Sequence, residues 1–336
     1  MHLLMPKDNT WKKFLKDEVM DEFSIKKSQI TSPDGLPILE IDEKTPLRKS
    51  YLGLALDILP ETQTIPAGSI GEQSSLIVNL LKKSNISQTA YQVFSISNKY
   101  GVVTSGRSEL LSQKLAKNLR KEGIKRGKFH FKDCPLIKAC IYPDRSIKVS
   151  VLDKVKRQEY DHLLSPFPGG YTTITDDKQA PSRAFKKLVE AQLVLGKEIK
   201  EDETLVDLGA CPGGWSYVAL NQGAQVTSID RSPLREDLMP KVNFSAEDAF
   251  KFMTEDVFDW VVSDIICTPD RILELIETWA TPQKCKNFVF TIKFKGSDSY
   301  DILQSFKKKL HSLDYDCILR QLNVNKNEVM VMGTRI

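Results

Sequence analysis

The chain has 336 residues, enough for two or three domains, and an apolar content of 41% that is sufficient for buried cores. Its net charge of +4 is too small to indicate a class of partner by itself. The six cysteines include no CxxC pair and only four histidines accompany them, which argues against a zinc site and a secreted disulfide framework. No apolar leader and no run of about 18 apolar residues is present. We therefore expect a cytoplasmic monomer without a metal or a membrane association.

The first half of the chain indicates α+β structure. Residues 1–65 mix short apolar runs with segments rich in proline and charge, and predict only a small α+β region. The pattern is clearer further on, where it predicts strand 91–97, helix 107–123 capped by Ser108, and a hairpin of strands 136–142 and 146–153. A segment rich in Pro and Gly, 165–181, is typical of a linker. The predicted division is 1–65, 66–160 and 161–336.

A basic stretch lies within the second of these regions. Lys114, Lys117 and Lys121 fall on one face of the predicted helix, and Phe129 and Phe131 follow them. A run of charge is usually only a solvated face, so an interpretation as an RNA-binding surface depends on the domain beside it. The candidate RNA-binding residues are Lys114, Lys117, Arg120, Lys121, Lys125, Arg126 and Lys128, with Lys132 in the same stretch.

After residue 181, helical and apolar strand patterns alternate, which favours a doubly wound α/β sheet. The helix is predicted at 182–195, and the last two strands, joined by a short turn, are expected to pair antiparallel at one edge. The strands are predicted at 204–209, 224–230, 241–248, 258–264, 287–294, 317–322 and 327–334.

The segment LVDLGACPGGWSYVAL, residues 205–220, begins as a strand and ends as a helix. Glycines in the turn allow close approach of the backbone to a ligand, and the helix start offers free N–H groups. Asp230 ends the next strand, where a carboxylate can bind ribose hydroxyls. The turn lacks the G-x-G-x-x-G fingerprint of a pyrophosphate cradle, so S-adenosylmethionine (SAM) is favoured over NAD. Asp248, at the end of the following strand, is placed to contact adenine.

The motifs VDLGACPGGW and PSRAFKKLVEA resemble those of the FtsJ-type ribose 2′-O-methyltransferases. This resemblance implies a Rossmann-like SAM-dependent domain and a catalytic tetrad of Lys187, Asp264, Lys293 and Glu328. The implied cofactor-binding residues are Ser182, Ala184, Asp207, Gly209, Cys211, Pro212, Gly213, Gly214, Trp215, Asp230, Asp248 and Asp264. Ala184 stands where the family often has a serine.

With the motif RQL…N..EV, the chain is most similar to the RlmM-type branch of that family. The resemblance covers about 165–336 well. It implies methylation of a cytidine ribose in bacterial 23S rRNA, with a THUMP-like RNA-binding domain at 66–160.

The tetrad residues differ in how strongly the sequence supports a role in chemistry. A ribose hydroxyl is a poor nucleophile, and a lysine side chain, with an ordinary pKa of about 10.4, becomes a better base only near other cations or when buried. Lys293 lies within the apolar strand FVFTIKF, where a charge is unusual, and is the expected proton acceptor or hydroxyl orienter. Lys187 neighbours Lys186, and only the resemblance to the family motif assigns Lys187, and not Lys186, to the tetrad. Asp264 could also be a helix-cap residue. The support for a role in chemistry is weakest for Glu328 when it is considered alone.

The sequence is compatible with three alternative functions. The same chemistry on another RNA, such as tRNA or an mRNA cap, would use the same tetrad. An RNA-binding or ribosome assembly factor that holds SAM without turnover would have little reason to keep all four tetrad residues. An NAD-dependent oxidoreductase is disfavoured by the missing fingerprint.

Overall fold

The computed structural model describes residues 1–33, 35–81, 86–99, 101–130, 133–296 and 299–336. The chain divides into two compact units, Met1–Thr172 and Thr173–Ile336. The division falls within the predicted linker.

The first unit begins with a small four-stranded sheet in the order β2-β3-β1-β4. A helix, α1, follows the first strand and begins after Asp8, whose carboxylate accepts a hydrogen bond from the backbone N–H of Thr10 at 2.8 Å. Its strands are shorter than most sequence patterns can reveal. The elements of this region are β1 (His2–Met5), α1 (Asn9–Phe23), β2 (Ile30–Thr31), β3 (Leu39–Ile41) and β4 (Asp57–Leu59).

The second sheet of this unit has the order β5-β10-β9-β6-β7, and β8 pairs with β6. Apolar side chains of the two helices α2 and α3, such as Ile77 and Leu115, form one buried cluster with sheet residues such as Ile137. The elements are β5 (Gln63–Ile65), α2 (Ile70–Leu81), β6 (Gln88–Ser97), β7 (Gly101–Val103), α3 (Gly106–Lys121), β8 (Lys125–Arg126), β9 (Leu136–Ile141), β10 (Ile147–Leu152) and α4 (Lys154–Tyr160).

The predicted cap of α3 is wrong. Ser105 caps the helix, and its hydroxyl accepts a hydrogen bond from the N–H of Ser108 at 3.1 Å. The Ser108 hydroxyl in turn accepts from the N–H of Ser105 at 2.8 Å, so the two serines form a reciprocal capping box. Because either serine suits an N-cap, the sequence pattern selected the one a turn too late.

The second unit is a seven-stranded sheet in the order β13-β12-β11-β14-β15-β17-β16. Strands β11 to β15 are parallel, and β17 lies antiparallel between β15 and β16 at one edge. The elements are α5 (Phe185–Leu195), β11 (Thr204–Leu208), α6 (Gly214–Asn221), β12 (Gln225–Ile229), β13 (Asn243–Ser245), β14 (Phe258–Ser263), α7 (Pro269–Leu275), β15 (Cys285–Lys293), α8 (Leu303–Leu310), β16 (Tyr315–Arg320) and β17 (Glu328–Arg335). The predicted doubly wound α/β fold is confirmed.

This topology positions a ligand crevice. The strand order reverses at β11, with β12 on one side and β14 on the other. The central strands are apolar on both faces, as the complete burial of Val206, Val261 and Val289 shows. In such sheets a ligand binds outside the carboxyl ends of the strands at the point of reversal.

Candidate active site

A cavity of about 660 Å³ lies at the carboxyl ends of β11 and β14. Its volume is in the range of small-molecule sites. The residues that line it are Ser182, Ala184, Asp207, Gly209, Ala210, Cys211, Pro212, Gly214, Trp215, Asp230, Arg231, Glu247, Asp248, Ala249, Phe250, Asp264, Ile265, Ile266, Arg271 and Lys293. All the cofactor-binding candidates from the sequence line this cavity, apart from Gly213.

The glycines of the loop after β11 are required by its geometry. Gly209 has φ of +77°, and a Cβ there would lie 2.8 Å from the Cβ of Ile265, another residue that lines the cavity. Gly213 has φ of +104°, and a Cβ would lie 2.6 Å from the side chain of Leu238. Gly213 therefore packs against the protein behind the loop, which is why it does not line the cavity.

Asp230 follows β12 and faces the cavity. Its Oδ2 accepts a hydrogen bond from the N–H of Cys211 at 3.0 Å, and its Oδ1 accepts from the N–H of Ser232 at 2.8 Å. These two backbone donors fix the orientation of the carboxylate against the glycine-rich loop. A carboxylate held in this way can accept hydrogen bonds from ribose hydroxyls.

Asp248 forms a second acidic wall of the cavity. It accepts a hydrogen bond from the N–H of Phe250 at 3.0 Å, which is the main cause that lowers the pKa of this carboxyl. It also pairs with Arg231, an exposed cation on the same wall. Arg271 lies with its guanidinium carbon 4.0 Å from the centre of the Phe250 ring. Sequence reasoning missed Arg231, Phe250 and Arg271, although an aromatic residue two positions after Asp248 was a usable signal.

Asp207, the last but one residue of β11, is buried beneath the loop. Its Oδ2 accepts from the N–H and the hydroxyl of Ser216 at 3.0 and 2.7 Å, so it ties the strand to the start of α6. Burial, which removes the carboxylate from water, raises its pKa to about 7.

Four further candidates lie in or beside the loop. Trp215 is buried, and its indole N–H donates to the backbone oxygen of Ala184 at 2.9 Å, which ties α6 to the residue before α5. Cys211 is an exposed residue of the loop. The peptide bond between Cys211 and Pro212 is cis. Ser182 lies near Gly214.

The structure brings the four tetrad candidates together beside the cavity. Lys187, on α5, donates to Asp264 Oδ1 at 2.9 Å and to Glu328 Oε1 at 2.8 Å. Lys293 Nζ lies 3.2 Å from Asp264 Oδ1 and also donates to the backbone oxygen of Asp264. All four side chains are between 12% and 19% exposed, so the cluster is shielded but reachable from solvent.

Strand pairing explains how distant residues meet here. Lys293 ends β15 and Glu328 begins β17, and the two stand opposite each other in the antiparallel register. Asp264 directly follows β14, the parallel neighbour of β15. The cluster thus occupies the same edge of the sheet as the cavity, and both Asp264 and Lys293 line the cavity.

Lys186, the neighbour of Lys187, faces elsewhere. Its Nζ pairs with Asp176, an exposed carboxylate, at 3.1 Å. Adjacent residues on a helix point about 100° apart, so only one of the two lysines can enter the cluster.

The candidate RNA-binding residues are placed on the surface of the first unit. Leu111, Leu115 and Leu119 form the buried face of α3. The seven candidates are all exposed, on α3 and on the chain that follows it: Lys114, Lys117, Arg120, Lys121, Lys125, Arg126 and Lys128. Phe131 and Lys132 lie outside the described residues.

The described residues contain neither a metal-binding cluster nor a membrane-spanning helix. Within the described ranges, no group of three or more His, Cys, Asp or Glu residues is arranged to hold a metal ion. In the same part of the chain, no helix is long and apolar enough to span a bilayer.

Three features define a nucleoside-binding site of the doubly wound class. The strand order reverses at β11, the glycine-rich loop lacks a pyrophosphate fingerprint, and the acids Asp230 and Asp248 follow β12 and β13. The residues present fit SAM, because the glycine-rich loop lines the cavity and two backbone donors orient the Asp230 carboxylate on the cavity wall.

Comparison with known proteins is consistent with this class. The family model described as FtsJ-like methyltransferase matches residues 180–324. The protein named Ribosomal RNA large subunit methyltransferase M from Thauera aminoaromatica is 32% identical over 183 residues, which cover 51% of this chain and 50% of that protein. The protein of the same name from Saccharophagus degradans is 34% identical over 175 residues, 48% of this chain and 50% of that one. The chain therefore spans about half the length of the curated relatives that it matches.

Among solved structures, the fibrillarin pre-rRNA processing protein of Methanococcus jannaschii matches with a TM-score of 0.36 and 18% identity, over 46% of this chain and 76% of that one. That likeness is too distant to support an argument. The residues matched by the family model all lie within the second unit, which is therefore similar to the FtsJ-like methyltransferases.

Proposed function

We propose that this protein methylates a ribose 2′-hydroxyl of bacterial 23S rRNA, with SAM as the methyl donor and a cytidine as the target nucleotide. The observation that carries the proposal is the cluster of Lys187, Asp264, Lys293 and Glu328 beside the nucleoside cavity. The names of the relatives support a ribosomal RNA of the large subunit as substrate. The choice of 23S rRNA and of cytidine rests on the sequence resemblance.

The chemistry follows from what the cluster can do for a hydroxyl. When bound, SAM supplies a methyl group on a positively charged sulfur. A 2′-hydroxyl must be aligned with that methyl group, and its proton must be accepted or directed away. Lys293 is the residue for this role, because it lies both in the cluster and on the cavity wall.

The other three residues orient Lys293 and balance its charge. Asp264 contacts both lysines, so it links Lys293 to Lys187. Lys187 lies between the carboxylates of Asp264 and Glu328, with its Nζ 2.8 Å from Glu328 Oε1. Two cations and two anions give the cluster no net formal charge, which suits a site that must approach an RNA phosphate backbone.

The first unit is proposed to bind RNA as a THUMP-like domain over 66–160. Support comes from the seven exposed basic residues on and after α3, whose buried leucines anchor the helix to the sheet. Contacts of this type bind phosphates and are largely independent of base sequence.

Mass-spectrometric mapping of ribose methylation in 23S rRNA tests the proposal. Cells lacking the gene should lose one 2′-O-methyl group, and wild-type protein should restore it. Protein carrying Lys293→Ala should not restore it, although it should accumulate to the same level. An unchanged methylation pattern in cells without the gene would contradict the proposed substrate.

A further inference from the structure

A buried carboxylate outside the tetrad, that of Glu190, binds the turn that leads into β17. Glu190 lies on α5 and is 1% exposed. Its Oε1 accepts from the N–H of Asn323 at 2.7 Å, and its Oε2 accepts from the N–H of Val324 at 3.0 Å. One carboxylate thus holds two successive backbone amides between β16 and β17.

This contact joins the same two elements as the tetrad. Lys187 is three residues before Glu190, so the two side chains are neighbours along α5. Glu328 is four residues after Val324 and begins β17. Because Lys187 Nζ lies 2.8 Å from Glu328, helix and turn are linked once by Glu190 and once within the tetrad.

The other side of the turn is also fixed, by Asn327. Its side-chain amide donates to the backbone oxygen of Phe294 at 2.8 Å, and the N–H of Phe294 donates to the backbone oxygen of Asn327 at 3.0 Å. These bonds hold Glu328 next to the end of β15, where Lys293 stands. Glu190 binds the turn from the side of α5, through the N–H groups of Asn323 and Val324.

A carboxylate at a buried helix position lowers stability if its only role is packing. Removal of a carboxylate from water costs several kcal/mol unless it is paired. Charged hydrogen bonds to backbone N–H groups are among the strongest in proteins and are strict in geometry. They therefore suit a contact whose purpose is to fix position.

We propose that Glu190 is a positioning residue for methyl transfer: it holds the turn before β17 against α5, so that Glu328 stays on Lys187 and the tetrad keeps its geometry. The statement about transfer rests on the proposed function. The statement about the turn does not, because it concerns only the contacts of Glu190.

The variant Glu190→Gln tests this with little change in volume. A glutamine offers one acceptor oxygen where two amides need one each, so one of the two bonds is lost. Single-turnover methyl transfer at saturating SAM and RNA should fall about tenfold or more, because small displacements of positioned groups are costly. The dissociation constant for SAM should stay within about twofold, since Glu190 does not line the cavity.

Asp259→Asn is the matched control. Asp259 also binds the backbone, accepting from the N–H of Thr204 at 2.8 Å, but at the amino ends of β11 and β14, away from the site. If Asp259→Asn lowers the melting temperature as much as Glu190→Gln does, it should still keep the wild-type rate of single-turnover methyl transfer. A Glu190→Gln enzyme with wild-type single-turnover rate, or an equal loss of rate in Asp259→Asn, would overturn the proposal.

Hydrogen exchange separates this inference from the proposed function. In the wild-type protein the amides of Asn323 and Val324 should exchange slowly, and Glu190→Gln should accelerate at least one of them. Fast exchange of both in wild type overturns the inference even if the enzyme is active. Slow exchange in a protein that transfers no methyl group would leave the turn contact supported and the proposed function refuted.

Discussion

The two adjacent lysines of α5 allow a sharp test of the tetrad. Lys187→Met and Lys186→Met make the same chemical change at neighbouring positions of one helix. Lys187 lies between Asp264 and Glu328, whereas Lys186 pairs with an exposed carboxylate. Methionine keeps most of the side-chain length and removes the charge.

The expected magnitude follows from the contacts of Lys187. Loss of its ammonium group removes charged hydrogen bonds to two carboxylates, each contributing roughly 1.5–3 kcal/mol. Glu328 is affected most, because its Oε2 is buried and accepts no hydrogen bond from the described residues. Asp264 keeps Lys293 as a partner. We expect Lys187→Met to lower the rate of methyl transfer by about 100-fold or more.

The assay is single-turnover methyl transfer to rRNA fragments with each variant saturated in SAM and RNA, so that chemistry is measured apart from binding. Lys186→Met should keep a rate within about threefold of wild type, because surface ion pairs contribute little. SAM affinity should be similar in both variants, since neither lysine lines the cavity. Equal rates for the two variants would refute the assignment of Lys187 to the tetrad.

Three further perturbations test other parts of the site. Asp230→Ala should weaken SAM binding about 10- to 100-fold by calorimetry, because a carboxylate oriented by two backbone donors is lost. Changing Lys114, Lys117 and Lys121 to Glu should weaken RNA binding across sequences and flatten its salt dependence, with SAM affinity unchanged. The raised pKa of Asp207, about 7, means that its ionisation opposes folding. Its favourable contribution is complete below pH 4 and is lost as the pH rises to about 7, so wild type should lose a few kcal/mol of unfolding free energy relative to Asp207→Asn over that range.

Each of these has a clear contrary result. Tighter binding of NAD than of SAM would refute the choice of cofactor from the loop. RNA affinity and salt slope that both survive the triple change would show that α3 is only a solvated face. Parallel pH profiles of unfolding free energy for wild type and Asp207→Asn would show that burial does not perturb this carboxyl.

The sequence predicted the second unit well because its signals are local and strong. Apolar strands such as β14 and β15 are long enough to be recognised. The loop at 209–214 contains glycines whose positive φ angles other residues rarely adopt. The first sheet was not predicted in detail, because strands of two to four residues, such as β2 and β1, carry no measurable alternation.

Long-range contacts set the limit for the site. The choice between Lys186 and Lys187 came from a motif, since helix periodicity does not reveal which lysine meets Asp264. The burial of Glu190 and its bonds to the turn before β17 depend on residues more than 130 positions away, and no local pattern signals them. The glycine pair at 213 and 214 predicts an open turn, whereas the space beside Gly213 is filled by Leu238.

The most direct test of the central claim is methyl transfer by the purified protein. Unmethylated 23S rRNA from cells lacking the gene is incubated with SAM carrying a labelled methyl group and then digested to nucleosides. We predict label in a single 2′-O-methylated nucleoside, absent from the reaction with Lys293→Ala. Label on a base, or no transfer by a protein that binds both SAM and RNA, would contradict the account.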